Sequence, residues 1–178
     1  MPDVLALTLD RIATPTGELV FAVDADGSLR ALDWADNDDR LLRMLRRYYG
    51  AHGFTLEAAP EPHPVRRPLQ RYFAGELAAI EDLPVQTTGT SFQRSVWQEL
   101  RKIPHGDAIS YTRLAARISR PTAIRAVGLA NGSNPINIVV PCHRVIGADG
   151  SLTGYGGGLD RKRWLLRHEQ QHSVACSR

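Results

Sequence analysis

The residues with the sharpest chemistry are consecutive: Pro141, Cys142, His143 and Arg144 follow the apolar run Ile138-Val139-Val140. Cationic neighbours lower a thiol's pKa, and the thiolate is the nucleophilic form. The β-branched run reads as a short buried extended segment that Pro141 stops. A buried structural cysteine is the plainer reading of Cys-His alone, because free cysteine is among the most buried residue types. Adjacent residues point in different directions, so Cys142 and His143 are not expected to touch. A proton can still pass between them through one bridging water. By position alone Glu169 is a solvated charge at a helix end. The glycines 156–158 are permissive backbone, suited to close approach of a ligand or to a mobile loop.

Those residues need elements to position them. Val4 to Ile12, Glu18 to Asp24 and Leu29 to Trp34 alternate as strands around turn signals, with a further short strand at Phe54 to Leu56. Leu41, Leu45 and Tyr48 recur at helical spacing, behind a cap at Asn37 or Asp38. A proline-rich connector from Pro60 to Pro68 leads to a short helix from about Leu69 to Ala74. A boundary near Thr87-Thr88-Gly89 divides an N-terminal domain, 1–86, from a C-terminal one, 87–178. Thr90 and Gln93 then form a capping-box pattern opening a helix striped by Phe92, Val96, Leu100 and Ile103. A second helix starts after Ser110. A third is capped by Thr122, with Ala123, Val127 and Ala130 on its inner face and Asn131-Gly132 closing it. Two short helices joined by a tight turn resemble a helix-turn-helix. Asp160 is placed to cap a last helix, with Gln170 to Arg178 read as a frayed tail.

Composition narrows the function class. The chain has 178 residues, 43% hydrophobic and 23% charged, ordinary values for a globular protein with a real core. No apolar run reaches membrane-span length and no leader pattern opens the chain, so a cytoplasmic protein is expected. Two cysteines, Cys142 and Cys176, make neither a disulfide framework nor a cysteine-rich zinc site. Residues 1–85 carry 9 Lys/Arg against 14 Asp/Glu, a balance of −5, and residues 86–178 carry 13 against 5, a balance of +8. Such asymmetry suits a polyanion facing the second half, although an evenly spread basic surface produces the same count.

Taken together, Pro141-Cys142-His143-Arg144-Val145-Ile146, Asn131-Gly132-Ser133-Asn134-Pro135 and Gly154-Tyr155-Gly156-Gly157-Gly158-Leu159 resemble the O6-alkylguanine-DNA alkyltransferase family, in its stand-alone bacterial form. The resemblance continues through Thr90 to Trp97, Ile103-Pro104-His105-Gly106, Ser110-Tyr111 and Arg161 to Glu169. Arg71 to Leu77 extends it weakly into the first half. It implies a ribonuclease-H-like α/β N-terminal domain with a small antiparallel sheet, and a mainly α, winged-helix-like helix-turn-helix C-terminal domain.

The resemblance also implies roles. Cys142 is the nucleophile, relayed through water to His143, with Glu169 orienting and charging the imidazole. The alkyl group of O6-alkylguanine, and of O4-alkylthymine, passes to Cys142 once, with no cofactor and no metal. Tyr111 donates to the base's ring nitrogen. Tyr155, Gly156, Gly157 and Val145 form the base pocket, with the carbonyls of Cys142 and Val145 accepting from the exocyclic amine. Asn134 ties the recognition segment to the cysteine turn. The implied partner is double-stranded alkylated DNA, met from the minor groove by Thr122, Ala123, Arg125 and Ala126, with Arg125 filling the place of an extruded base. A monomer is expected, with cooperativity on DNA open. The N-terminal half lacks the cysteines on which some relatives build zinc sites, and Gly156 replaces a serine found in others. A helix-turn-helix protein that binds alkylated DNA without catalysis, and a Cys-His hydrolase that turns over, are the competing readings.

Overall fold

The computed structural model describes residues 4–50 and 52–173, so Cys176 and the tail beyond Ser173 lie outside the described residues. The chain divides into two compact units, residues 1–88 and 89–178.

In the first unit, β1 (Leu5–Thr14), β2 (Gly17–Asp24) and β3 (Leu29–Trp34) form an antiparallel meander. The expectation of an antiparallel sheet holds for these three strands only. The fourth, β4 (Phe54–Ala58), pairs parallel to β1, giving the order β3-β2-β1-β4. Parallel neighbours need a crossover, and α1 (Asp38–Tyr49) supplies it. Strand alternation sends Leu7, Val20, Ala22 and Ala31 to one face, where they pack with Leu41 and Leu45 of α1. On the opposite face Leu19, Phe21, Leu32 and Trp34 are fully buried. α2 (Arg66–Phe73) begins earlier than its apolar pattern indicates, with Pro68 inside its first turn, and lies against β1. Asn37 precedes α1 but makes no side-chain capping bond.

In the second unit, α3 (Ser91–Leu100) opens on the expected capping box: Thr90 Oγ1 accepts from Gln93 N, and Gln93 Oε1 from Thr90 N. Val96, Trp97 and Leu100 are its buried stripe, while Phe92 is only half-buried. β5 (Ile109–Ser110) leads into α4 (Tyr111–Arg117), capped by Ser110 Oγ, which accepts from Arg113 N at 3.1 Å. Ser119 turns the chain at φ 57°. α5 (Ile124–Gly132) follows, packed on α3 and α4. Thr122 does not cap it. The cap position falls on Ala123, which has no side-chain acceptor. Trp97 Nε1 donates to the Ala130 carbonyl at 2.9 Å and ties α3 to α5.

The segment read as an extended run is not extended. Ile138 has φ 72°, and Val139 N bonds the Asn137 carbonyl at 2.8 Å, an i to i+2 turn. Pro141 sits at φ −82°, ψ 65° with Cys142 N on the Val140 carbonyl at 2.8 Å, an inverse γ-turn. Apolar burial is as expected here, but tight turning replaces a strand, because Asn134 and the amides of Val139, Val140 and Cys142 bond within the segment. β6 (Val145–Ile146) then pairs parallel to β5. α6 (Leu159–Ser173) starts one residue before Asp160, which therefore pairs with Arg163 instead of capping, and it includes Gln170 to Ser173, the described part of the tail expected to fray.

Candidate active site

Cys142 is buried, and its surroundings are polar. Asn134 Nδ2 donates to Sγ at 3.0 Å and to the Val140 carbonyl at 2.8 Å, while Asn134 Oδ1 accepts from Ile136 N at 2.9 Å. Sγ donates to Asn137 Oδ1 at 3.4 Å. A structural cysteine packs as a small hydrophobe. This one is held between two buried amides, so its burial serves position rather than packing.

Next to it, in a 3-10 turn over Cys142–Arg144, His143 is fully buried with Nε2 2.8 Å from Glu169 Oε1. His143 Nδ1 is buried and makes no hydrogen bond among the described residues. The two side chains are thus not directly bonded, as their adjacency requires. Burial pushes the imidazole below its ordinary value, against the opposing influence of Glu169, so His143 is neutral at pH 7 and able to accept a proton.

Glu169, in the penultimate turn of α6, is no solvated helix-end charge. Arg144 grips it twice, Nε to Oε2 and Nη2 to Oε1, each at 2.8 Å. Gly106 N adds a bond at 3.4 Å, and His105 Nδ1 lies 3.8 Å from Oε1. Burial alone would raise its pKa, but His143, His105 and Arg144 outweigh burial and hold the carboxyl well below the usual carboxylate range. Arg144 is itself fastened to the Ile103 carbonyl at 2.6 Å and to His105 Nδ1 at 2.5 Å. Its charge is aimed at Glu169, not at the thiol. Motif position alone suggested the reverse.

Lys162 is the residue that sequence reasoning missed. Its side chain is fully buried, with Nζ donating to the Val145 carbonyl at 2.6 Å and the Thr153 carbonyl at 2.9 Å. Burial lowers its pKa to about 8, while negative charge at Cys142 acts the other way, so ammonium and thiolate favour each other. A lysine four residues past a glycine run carries no periodicity signal; burial alone sets it apart. Arg144 and Lys162 also drop out of the basic surface that the charge count attributed to this half.

A polar-gripped thiol and a neutral histidine in one turn, with a compensated carboxylate brought to them by α6, describe a nucleophile with a built-in base. Residues 91–171 match the family model described as 6-O-methylguanine DNA methyltransferase, DNA binding domain. The methylated-DNA–protein-cysteine methyltransferase of Salmonella typhimurium is 51% identical over 166 residues, which cover 93% of this chain and 97% of that one. The chain belongs to the methylated-DNA–protein-cysteine methyltransferase family. A member from Methanosarcina barkeri is 42% identical over 92% of this chain and 97% of its own. Among solved structures, Mycobacterium tuberculosis OGT in complex with DNA is 42% identical, with a TM-score of 0.76 over 94% of each chain.

Within this methyltransferase fold the remaining expected residues fall into two groups. Tyr111 heads α4, half-buried, its ring 3.9 Å from where a Cβ at Gly128 of α5 would stand. Tyr155 presents its ring edge-on to His143, centroids 6.5 Å apart. Gly157 is buried and its carbonyl accepts from Arg161 Nη1 at 3.3 Å, while Gly156 is half-buried. Gly158 takes φ 91°, which favours glycine. The two carbonyls expected to receive the base's amine each already hold a protein donor: Asn131 Nδ2 at 3.3 Å on Cys142 and Lys162 on Val145. The Cys142 carbonyl accepts from Val145 N as well, so both of its lone pairs are engaged. Thr122, Arg125 and Ala126 are exposed at the start of α5, Ala123 is half-buried, and Arg125 has no hydrogen bond or ion pair among the described residues. Asn134, expected to tie the recognition segment to the cysteine turn, is fully buried and bonds the Val140 carbonyl and the sulphur. No helix among the described residues is long and apolar enough to cross a membrane.

Proposed function

We infer that this protein repairs DNA by moving the alkyl group of O6-alkylguanine onto its own Cys142. The observation that carries the reading is the buried array of Cys142, His143, Glu169 and Arg144, with His143 Nδ1 unengaged on the side away from Glu169. In the resting site His143 is neutral. The Cys142 proton passes through one water to Nδ1, and Glu169 stabilises the imidazolium that results. Arg144 keeps Glu169 ionised and in place through both states.

The thiolate then attacks the alkyl carbon. A carbon–sulphur bond forms, the carbon–O6 bond breaks, and its electron pair leaves on guanine. Tyr111 donates a hydrogen bond or proton to the ring nitrogen as that charge develops, and the Gly156 N–H and Tyr155 serve the leaving oxygen. The buried Lys162 ammonium adds an opposite charge that favours the thiolate. A thioether has no hydrolytic exit, so each molecule acts once.

Guanine O6 is inaccessible inside a duplex, so the base is extruded before transfer. The exposed, unpaired Arg125 at the start of α5, between the small residues Ala123 and Ala126, is suited to enter a minor groove and fill the vacated stack. O4-alkylthymine presents the same alkyl–oxygen geometry and belongs to the proposed substrate range. A monomer working in the cytoplasm completes the proposal. Intact-mass measurement after mixing with methylated duplex tests it: one methyl group on Cys142, none on Cys176, and none on a Cys142→Ser variant that still binds DNA. Repair of many lesions per protein molecule refutes single use and favours a hydrolase. Reversible binding with no mass gain favours the non-catalytic reading.

A further inference from the structure

Two amides meet the Cys142 sulphur, and they face it with opposite polarity. Asn134 presents its Nδ2 at 3.0 Å, an orientation locked by Ile136 N on its Oδ1 and by the Val140 carbonyl on its Nδ2. A donor at that distance favours the thiolate. Asn137 presents Oδ1 at 3.4 Å and accepts from the thiol. An acceptor favours the protonated form, and becomes repulsive once the proton leaves. Asn137 is fully buried, so water does not take over its place.

The chain pays a conformational penalty to bring Asn137 there. Ile138, the next residue, is β-branched and sits at φ 72°, a region such residues rarely enter. The turn at Ile138 and the inverse γ-turn at Pro141 fold residues 137–142 back on themselves, which is what lets Asn137 meet a sulphur five positions ahead. Strain of this kind persists where the surroundings over-determine it, and it clusters at functional sites.

We propose that Asn137 restrains the nucleophile, holding Cys142 as an oriented thiol whose proton points away from the His143 relay until substrate enters. The thiol has one proton. While Asn137 Oδ1 receives it, the path through His143 is not engaged. The groups pulling the other way are the Asn134 amide, the buried Lys162 ammonium and neutral His143, with Glu169 neutralised by Arg144. The balance suits a protein whose cysteine is consumed by one reaction: restraint limits its loss to passing electrophiles. The proposal rests on Cys142 being the nucleophile.

The test is the pH dependence of iodoacetamide alkylation at Cys142, in full-length protein with Cys176→Ser so that one thiol reports. Asn137→Ala removes the acceptor and is expected to lower the apparent thiol pKa, leaving about two- to fivefold more thiolate at a fixed pH below it. Asn137→Asp places a negative charge there and is expected to move the pKa the opposite way. Loosening of the fold would move both variants alike, so opposite displacement identifies the acceptor role. An unchanged or raised pKa in Asn137→Ala overturns the proposal. If that variant does not fold, an unchanged or lowered pKa in Asn137→Asp overturns it equally. The titration needs no DNA. Absence of methyl transfer from methylated duplex to Cys142 would refute the repair function separately.

Discussion

Replacing Glu169 by glutamine separates the carboxylate's two duties. Its oxygens hold His143 at 2.8 Å and Arg144 through two bonds of 2.8 Å, all of them buried. The amide keeps the shape but loses the charge, and leaves Arg144 buried with no counter-ion. Breaking a buried pair from one side costs about 3–5 kcal/mol. Domain stabilities run at about 5–15 kcal/mol, so a parent in the middle of that range leaves most of the variant folded at 25 °C. The melting temperature should fall by about 6–20 °C for a chain of this size. The chemistry should suffer independently. A hydrogen bond to a charged group contributes about 1.5–3 kcal/mol, and Glu169 lends that to the imidazolium only after the proton arrives. Transfer from methylated duplex should therefore slow by about 10- to 150-fold, with DNA affinity nearly unchanged. Single-turnover mass spectrometry at 15 °C, alongside a thermal melt, reads both effects. A variant that melts early yet transfers within twofold of the parent rate would refute the relay and leave Glu169 a structural anchor.

Two further outcomes follow from the same geometry. Arg125→Ala should slow repair of duplex by about 10- to 100-fold, from the loss of a contact of roughly 1–3 kcal/mol to the flipped state, and leave reaction with the free modified base unaffected; equal losses on both substrates would place Arg125 in the chemistry or the fold. Acid should destabilise the second unit in two stages. His143 has a folded pKa below its ordinary 6.5, so the unfolded chain binds the extra proton first and stability declines as pH falls through 6.5. Glu169 has a folded pKa far below 4.5, so its contribution, complete above 4.5, drains away below it. Urea midpoints from about pH 2 to 8 check this, and a flat profile for the second unit across that range would contradict the burial of both groups.

Much of this protein is legible in one dimension. Strand alternation in β1 to β3, the capping box at Thr90 and Gln93, the Ser110 start of α4 and the order of motifs from Pro141 to Glu169 are local patterns. Local hydrogen bonds and a two-sided or one-sided core suffice to realise them. Chemical candidates were equally legible where a residue type is rare: one cysteine beside a histidine and an arginine. Direction was not. That Arg144 serves Glu169 rather than the thiol depends on α6 returning its penultimate turn to the Cys142–Arg144 turn, a contact spanning 25 residues. Lys162 is an ordinary lysine on a polar helix until packing removes it from water, and desolvation is what gives it a lowered pKa and a role. The Ile138 turn contradicts the intrinsic preference of a β-branched residue, so no propensity could announce it. Parallel pairing of β4 likewise needed α1 laid across the sheet, a crossover that strand patterns do not encode. Residue types determined which chemistry was available; tertiary contacts, by setting distance and burial, decided which charge each group sees.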